Sequence, residues 1–594
     1  MWSNLLAIQN PLTIRRPHSA AMPPEGVPIP LRRPFAVVVA LLTLGLAGCS
    51  SGGYPIPGQT ASQSPPPTTF QPQHAGGTLT ILSKSASGTV DPHISYDNQP
   101  WQMLHTVYDG LLAFRQVGGT KSTELVPDLV EAMPKVTDGG RTYTFTLRRG
   151  VRFSTGAEVT TKDVVASFRR IFRASGPTAG TFYQNIVGAD ACLEKPAACT
   201  LPGVTAHGRD IVIRLTRADS EFPMKLAVPH AVVLPAGTPA KDQGNKPIPG
   251  TGPYVISSYD PNKQLLLKRN PRFKEWSHAA QPQGYPDKIV YQYGTTVEGA
   301  VTAVENGAAD VVWDPPPADR LNELGTRFVN QVHVNSLNAF WYLPLNVNIA
   351  PFNNLKARQA VNWAIDRSAT TRLFGGNALG RPTCTVLPEG FPGHADFCDY
   401  TKPAGTTWKG NDMAEAKRLV KESGTAGQKV AVVVGDDDTS KSMGEYVRSV
   451  LQEIGYKASL KVLSANIHFS YIQNTNNKVQ ISVTQWYQDY PAASDFLNVL
   501  LSCTSFHQGS DSSINIGGYC DKKLDATMKR AMELDQTAPE AATELWGRAD
   551  RQAMSQAPIV PLFAPRQVDF LSQRVGNYQF HKQFFMLIDQ LWVK

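Results

Sequence analysis

The chain has 594 residues, 42% hydrophobic and 18% charged, a balance that excludes an intrinsically disordered protein and calls for two or more cores. Its net charge is +8, and four arginines against Glu25 put +3 of that in the first 48 residues, leaving no long basic run in the rest. Nucleic acid is therefore excluded as a partner.

The N-terminus reads as an export signal. Arg32 and Arg33 precede an apolar run from Phe35 to Ala47, too short for a permanent membrane span and suited to a signal h-region. Leu46-Ala47-Gly48-Cys49 resembles a bacterial lipobox, which implies cleavage before Cys49 and a lipid on its sulfur. Arg32-Arg33-Pro34-Phe35 also resembles part of a twin-arginine signal, so the export route stays open, and Met22 is a second candidate start. Residues 49–76 are rich in Ser, Gly, Pro and Gln, the composition of a flexible tether. With Cys49 set aside, six cysteines remain, an even number suited to an oxidising compartment. The expected pairs are near neighbours across short polar loops: Cys192 with Cys199, Cys384 with Cys398, Cys503 with Cys520.

The folded body is expected from Gly77, with a strand to Leu82 and a helix over Trp101 to Leu112. Tyr143, Phe145 and Leu147 alternate with polar residues, the pattern of a half-buried strand, and Arg148 to Phe153 reads as a turn and second strand. Thr160 and Asp163 open a helix whose buried stripe is Val164, Val165, Phe168, Ile171 and Phe172. Further on, Asn353 or Asn354 caps one helix, and Asp412 with Glu415 caps another that ends at Gly424. Val430 to Val434, Ser440 to Ile454 and Lys457 to Leu463 form a βαβ unit, which favours a parallel pair. Asp436, Asp437 and Asp438 at its first junction read as solvated caps, not metal ligands. Val479, Ile481 and Val483 alternate as a strand running into Trp486, Tyr487, Gln488, Asp489 and Tyr490, and Pro491 stops it. Aromatics around one carboxylate offer stacking walls and a partner for a cation.

Several ordered blocks resemble the family 5 extracellular solute-binding proteins, the oligopeptide, dipeptide and nickel receptors of ABC importers. They include Asp109-Gly110-Leu111-Leu112, Val126-Pro127-Asp128-Leu129, Tyr143 to Val151, Gly252-Pro253-Tyr254 and Leu267 to Pro271. Asn306-Gly307 with Ala309-Asp310-Val311, Pro351 to Val361, Ala364 to Arg367 and Ala557 to Phe563 continue the match. The resemblance implies an α/β fold of the periplasmic-binding-protein type, two-lobed, in the large type II variant, with mixed sheets and hinge strands. The division expected is a first lobe over 77–333 with an inserted subdomain near 105–200, a second lobe over 334–560, and a return segment over 561–594.

It also implies a lipid-anchored monomer that closes on an oligopeptide and hands it to a permease and ATPase. A family aspartate that pairs with the peptide ammonium falls on Asp489, with Trp486, Tyr487, Gln488 and Tyr490 as strand edge and pocket wall. Tyr96, Asp97 and Asn98, after Asp91-Pro92-His93, fall on the ligand strand of the other lobe. Phe182 and Tyr183 are weaker pocket candidates. The chain departs from short-peptide relatives in two places. Val483 stands where some carry an arginine for the peptide carboxylate, and Pro491-Ala492-Ala493 replaces an Asp-Pro step. The ligand is then a longer peptide or a non-peptide solute such as a nickel chelate, haem or oligosaccharide. A secreted hydrolase is the alternative of another class. The sequence holds no GxSxG, HExxH, Walker A loop or dinucleotide fingerprint, so no enzyme, metal or cofactor is expected.

Overall fold

The computed structural model describes residues 69–594 apart from 87, 510–512 and 536. The signal over 1–48, Cys49 and the tether as far as 68 lie outside the described residues. The end of the tether is docked on the body: Phe70 stacks on Tyr285 at 5.0 Å and His74 on Trp592 at 3.6 Å. Ordered packing thus begins ahead of Gly77.

In chain order the strands of the large sheet and of the second lobe's parallel sheet begin with β1 (Thr78–Ser83), β2 (Tyr254–Asp260), β3 (Gln264–Arg269), β4 (Lys288–Tyr293), β5 (Val311–Val312), β6 (Val332–Ser336) and β7 (Ala339–Pro344). They continue with β8 (Gly380–Pro382), β9 (Lys429–Gly435), β10 (Lys457–Leu463), β11 (Ile481–Ser482), β12 (Thr484–Tyr487) and β13 (Ile559–Leu571). The large sheet runs β12-β7-β13-β5-β1-β4-β3-β2, with β6 and β8 also on β13. It is mixed, because β1 pairs in parallel with β4 and β5 while β13 is antiparallel to each of its partners.

β13 explains the two lobes. Its first half carries Val560, Leu562 and Phe563 into a core shared with Leu343, Val361, Val432 and Val447. Its end carries Leu571 into a second core built mainly from residues 79–311 and 578–591. The strand therefore crosses between lobes, and the step from β6 to β7 crosses beside it. The second lobe adds the parallel sheet β10-β9-β11. Disulfides join Cys192 to Cys199, Cys384 to Cys398 and Cys503 to Cys520. Each closes a short loop, a constraint of about 2–4 kcal/mol on the unfolded chain. Among the described residues, no helix is long and apolar enough to cross a membrane.

The helices used below are α1 (Asn98–Leu104), α2 (Thr161–Arg173), α3 (Leu355–Ala364), α4 (Met413–Ser423), α5 (Asp438–Glu453), α6 (Ala465–Gln473) and α7 (Ser494–Leu501). α2 opens at Thr160 as expected, with Asp163 the acceptor: Thr160 N–H and Oγ1 both donate to Asp163 Oδ2, at 2.8 and 2.6 Å. Asn354 caps α3, Asp412 caps α4, and Asp437 caps α5 by accepting from Ser440 N–H at 2.8 Å.

Three local expectations fail. The helix over Trp101 to Leu112 is only α1, because the carbonyls of His105, Thr106 and Val107 accept from Gln281, Tyr254 and Gly252 instead of from the next turn. Gly252 permits that approach: a Cβ there would lie 2.5 Å from the Thr106 carbonyl oxygen. Arg148 to Phe153 forms no strand, only a bridge from Arg152 to Glu158. The strand read from Val479 is two, β11 in the parallel sheet and β12 in the large one, because the chain changes sheets at Val483, whose N–H donates to Val433.

Candidate functional site

Among the described residues β12 pairs on one side only, with Phe340 opposite Trp486 and Ala339 opposite Tyr487. Thr484 and Trp486 point into the lobe, while Gln485 is exposed and Tyr487 half-buried. Beyond β12 the chain is clamped by α7: Asp495 Oδ2 accepts from the Asp489 N–H at 2.8 Å, and the Asp495 carbonyl accepts from the Trp486 indole at 3.0 Å. Gln583 of the returning tail donates to the Asp489 carbonyl at 2.9 Å. Asp489 is thereby fixed at the strand end with its carboxylate toward the other lobe.

That lobe answers with the turn Asp91 to Asn98. The Asp91 carboxylate is buried and held by both terminal nitrogens of Arg170 from α2, at 2.9 and 2.5 Å. It also accepts from the N–H groups of His93 and Gln243. Trp101 donates its indole N–H to the Ser95 carbonyl at 2.9 Å. His93 is structural, its ring bonded to the Val232 carbonyl and its pKa pushed down to about 4, mainly by burial. On this frame Tyr96 donates its hydroxyl to Asp489 Oδ2 across the lobes in a short hydrogen bond.

Between the two walls lies a cleft of about 880 Å³. Tyr96, Asp97, Asn98 and Trp101 line one side; Gln485, Trp486, Tyr487 and Asp489, with Phe469 and Gln473 of α6, line the other. The remaining sequence candidates lie elsewhere. The Gln488 amide is spent on the Lys582 carbonyl, Gln583 and Asn338. Tyr490 inserts into the opposite lobe, edge-on to Phe182 at 5.4 Å and with the Lys225 ammonium 5.3 Å from its ring. Tyr183 is buried with its hydroxyl on the Lys225 carbonyl at 2.8 Å. Phe182 and Tyr490 therefore meet between the lobes, Tyr183 packs inside the first lobe, and none of the three lines the cleft. Trp101 carries only a helix start in the sequence reading, and the α6 face escaped it because that face stands next to no recognisable block.

The charges behind Asp489 are crowded. Burial pushes its carboxyl up to about 7, against the opposing hydrogen bond from Tyr96. Burial and the neighbouring Asp489 hold Asp495 well above the ordinary carboxylate range, and burial raises Glu221 to about 7. Ser494 of α7 donates to Glu221 across the lobes, and Lys225 pairs with Asp219 at 2.8 Å. Such an arrangement is poised to take a cation at Asp489, since a positive partner offsets the cost of ionising a buried carboxylate.

The comparisons agree with this architecture. Residues 124–508 match the model of the bacterial extracellular solute-binding proteins, family 5 Middle. The chain is 24% identical over 557 residues to the probable deoxycholate-binding periplasmic protein YgiS of Escherichia coli, covering 90% of this chain and 96% of the relative. It is 24% identical over 521 residues to the periplasmic oligopeptide-binding protein OppA of Escherichia coli, covering 84% and 89%. Among solved structures, clavulanic acid biosynthesis oligopeptide binding protein 2 superposes with a TM-score of 0.78 at 23% identity, covering 90% of this chain and 98% of that one. With the matched segment spanning most of the chain and the two-lobed fold in place, the chain belongs to family 5 of the bacterial extracellular solute-binding proteins.

Proposed function

We propose that this chain is the substrate-binding receptor of an ABC importer, anchored through a lipid on Cys49, and that it captures peptides by their amino terminus at Asp489. The observation that carries the reading is the pairing of Asp489 with Tyr96 across the cleft, beside the free edge of β12. A peptide ammonium at Asp489 takes the place of the Tyr96 hydroxyl. The extended peptide then adds to β12, so main-chain hydrogen bonds give affinity with little dependence on sequence. Trp101 and Tyr487 supply stacking walls, with Trp486 packed behind them in the lobe. Contacts made by one ligand to both lobes favour the closed form, and the crossing strands act as the hinge. Delivery to a permease follows from this reading, with the energy supplied by an ATPase partner. Binding, not catalysis, is the activity.

Isothermal titration of the folded chain with a mixed peptide pool, free or N-acetylated, tests the capture step. Free peptides are expected to bind and acetylated ones to lose about a hundredfold in affinity, the cost of leaving the buried carboxylate unpaired. Equal binding of the two pools rejects it. The anchor is tested separately: Cys49→Ser is expected to move the protein from the membrane to the soluble fraction.

A further inference from the structure

The cleft carries charge of one sign. Its described lining holds Asp97 from one lobe and Asp489 from the other, and no lysine, arginine or histidine. The buried bases nearest Asp489 and Tyr96 are committed or uncharged. Lys225 is buried against Asp219 and lies under the Tyr490 ring. His230 lies tilted against Tyr96, ring centres 5.4 Å apart, and is neutral, its pKa held down to about 3 by burial. Arg381, Arg566 and Lys582 line a separate cavity of about 430 Å³ beside the crossing strands. The two cleft carboxylates are matched to the opposite lobes: Tyr96 reaches Asp489, and Asp97 lies close enough to Tyr487 to add to the rise that burial gives its phenol.

Closing on a ligand removes its charged groups from water. A cation finds a carboxylate on either wall, whereas a carboxylate meets like charge and finds neutral donors such as Asn98, Gln473 and Gln485 but no cation. We propose that the cleft selects cationic peptides, with the amino terminus at Asp489, a basic side chain at Asp97, and the terminal carboxylate outside the cleft. This rests on the peptide-capture reading above and narrows it to a ligand class. It also sets the chain apart from its deoxycholate-named relative, since a bile acid presents a carboxylate for which the described lining has no cationic partner.

The test is titration of the folded chain with matched alanine peptide pools carrying one lysine or one glutamate, each with a free or amidated C-terminus. The lysine pool is expected to bind at least about tenfold more tightly, roughly one like-charge contact replaced by an attraction. Amidation is expected to leave affinity unchanged or raise it. Because Asp97 is exposed, Asp97→Asn is expected to narrow the lysine-over-glutamate ratio by about fivefold, the upper range for a solvated ion pair. Equal affinity of the two pools, or a loss on amidation, overturns the charge selection while N-terminal capture stands. If N-acetylated forms of both pools bind as well as free ones, the capture reading itself fails and this inference with it.

Discussion

The two walls of the cleft are held by different means. The wall after Asp489 is mainly local: Trp486 and Asp489 both donate to Asp495 of α7, six to nine residues on in the chain, and Gln583 of the tail adds a distant bond to the Asp489 carbonyl. The wall that presents Tyr96 is remote: it hangs on Arg170, 79 residues away, through an ion pair with almost no exposure to water. A local clamp uses few groups and tolerates neutral replacement. A remote buried pair cannot lose one partner without leaving the other stranded.

Breaking the remote wall has the largest expected effect. Arg170→Met leaves Asp91 buried without its cation, and denaturant unfolding is expected to show a loss of about 3–5 kcal/mol. The same measurement on Asp495→Asn, in the local wall, is expected to show a change of no more than about 1 kcal/mol, because an amide oxygen can still accept from the Asp489 N–H. A deficit as large as that of Arg170→Met would erase the distinction.

Protonation sharpens the comparison next, since the raised carboxyls near the cleft belong mostly to the local wall and its contacts. Asp489 and Glu221 both stand at about 7 in the folded chain. The folded state therefore holds more protons than the unfolded one between about pH 4 and 7, and stability falls as pH rises through that window. Thermal melting of the ligand-free protein is expected to occur at a higher temperature at pH 5 than at pH 7.5, with a smaller difference in Asp489→Asn. Ligand binding runs the other way. An ammonium needs the ionised Asp489, so affinity is expected to fall by up to about tenfold per pH unit below 7, with a proton released on binding. The smallest effect is expected from Tyr96→Phe. Its hydroxyl lowers the Asp489 pKa, so its removal moves the midpoint of the pH–affinity curve upward while leaving the high-pH affinity within about threefold.

The contrast between the walls also explains what was legible in the sequence. Alternation announced the strand bearing Tyr143 and Phe145, and the spacing of Thr160 and Asp163 announced a helix start, because both depend on neighbours in the chain. The aromatic run around Asp489 was visible for the same reason. The Arg170–Asp91 pair was not, since nothing near either residue names its partner. Nor was the early end of α1, which depends on Gly252 lying against Thr106 across almost 150 residues. Phe182 and Tyr490 were read as pocket walls because composition marks an aromatic as buried but not what buries it. They meet one another across the lobes instead.

Capture of a ligand ammonium by Asp489 is tested most directly by titrating one free-amino peptide pool into wild type and Asp489→Asn at pH 8, where the wild-type carboxyl is ionised. The expected result is about a hundredfold weaker binding in the variant, with folding intact by thermal melting. Unchanged affinity in a folded Asp489→Asn protein would contradict it.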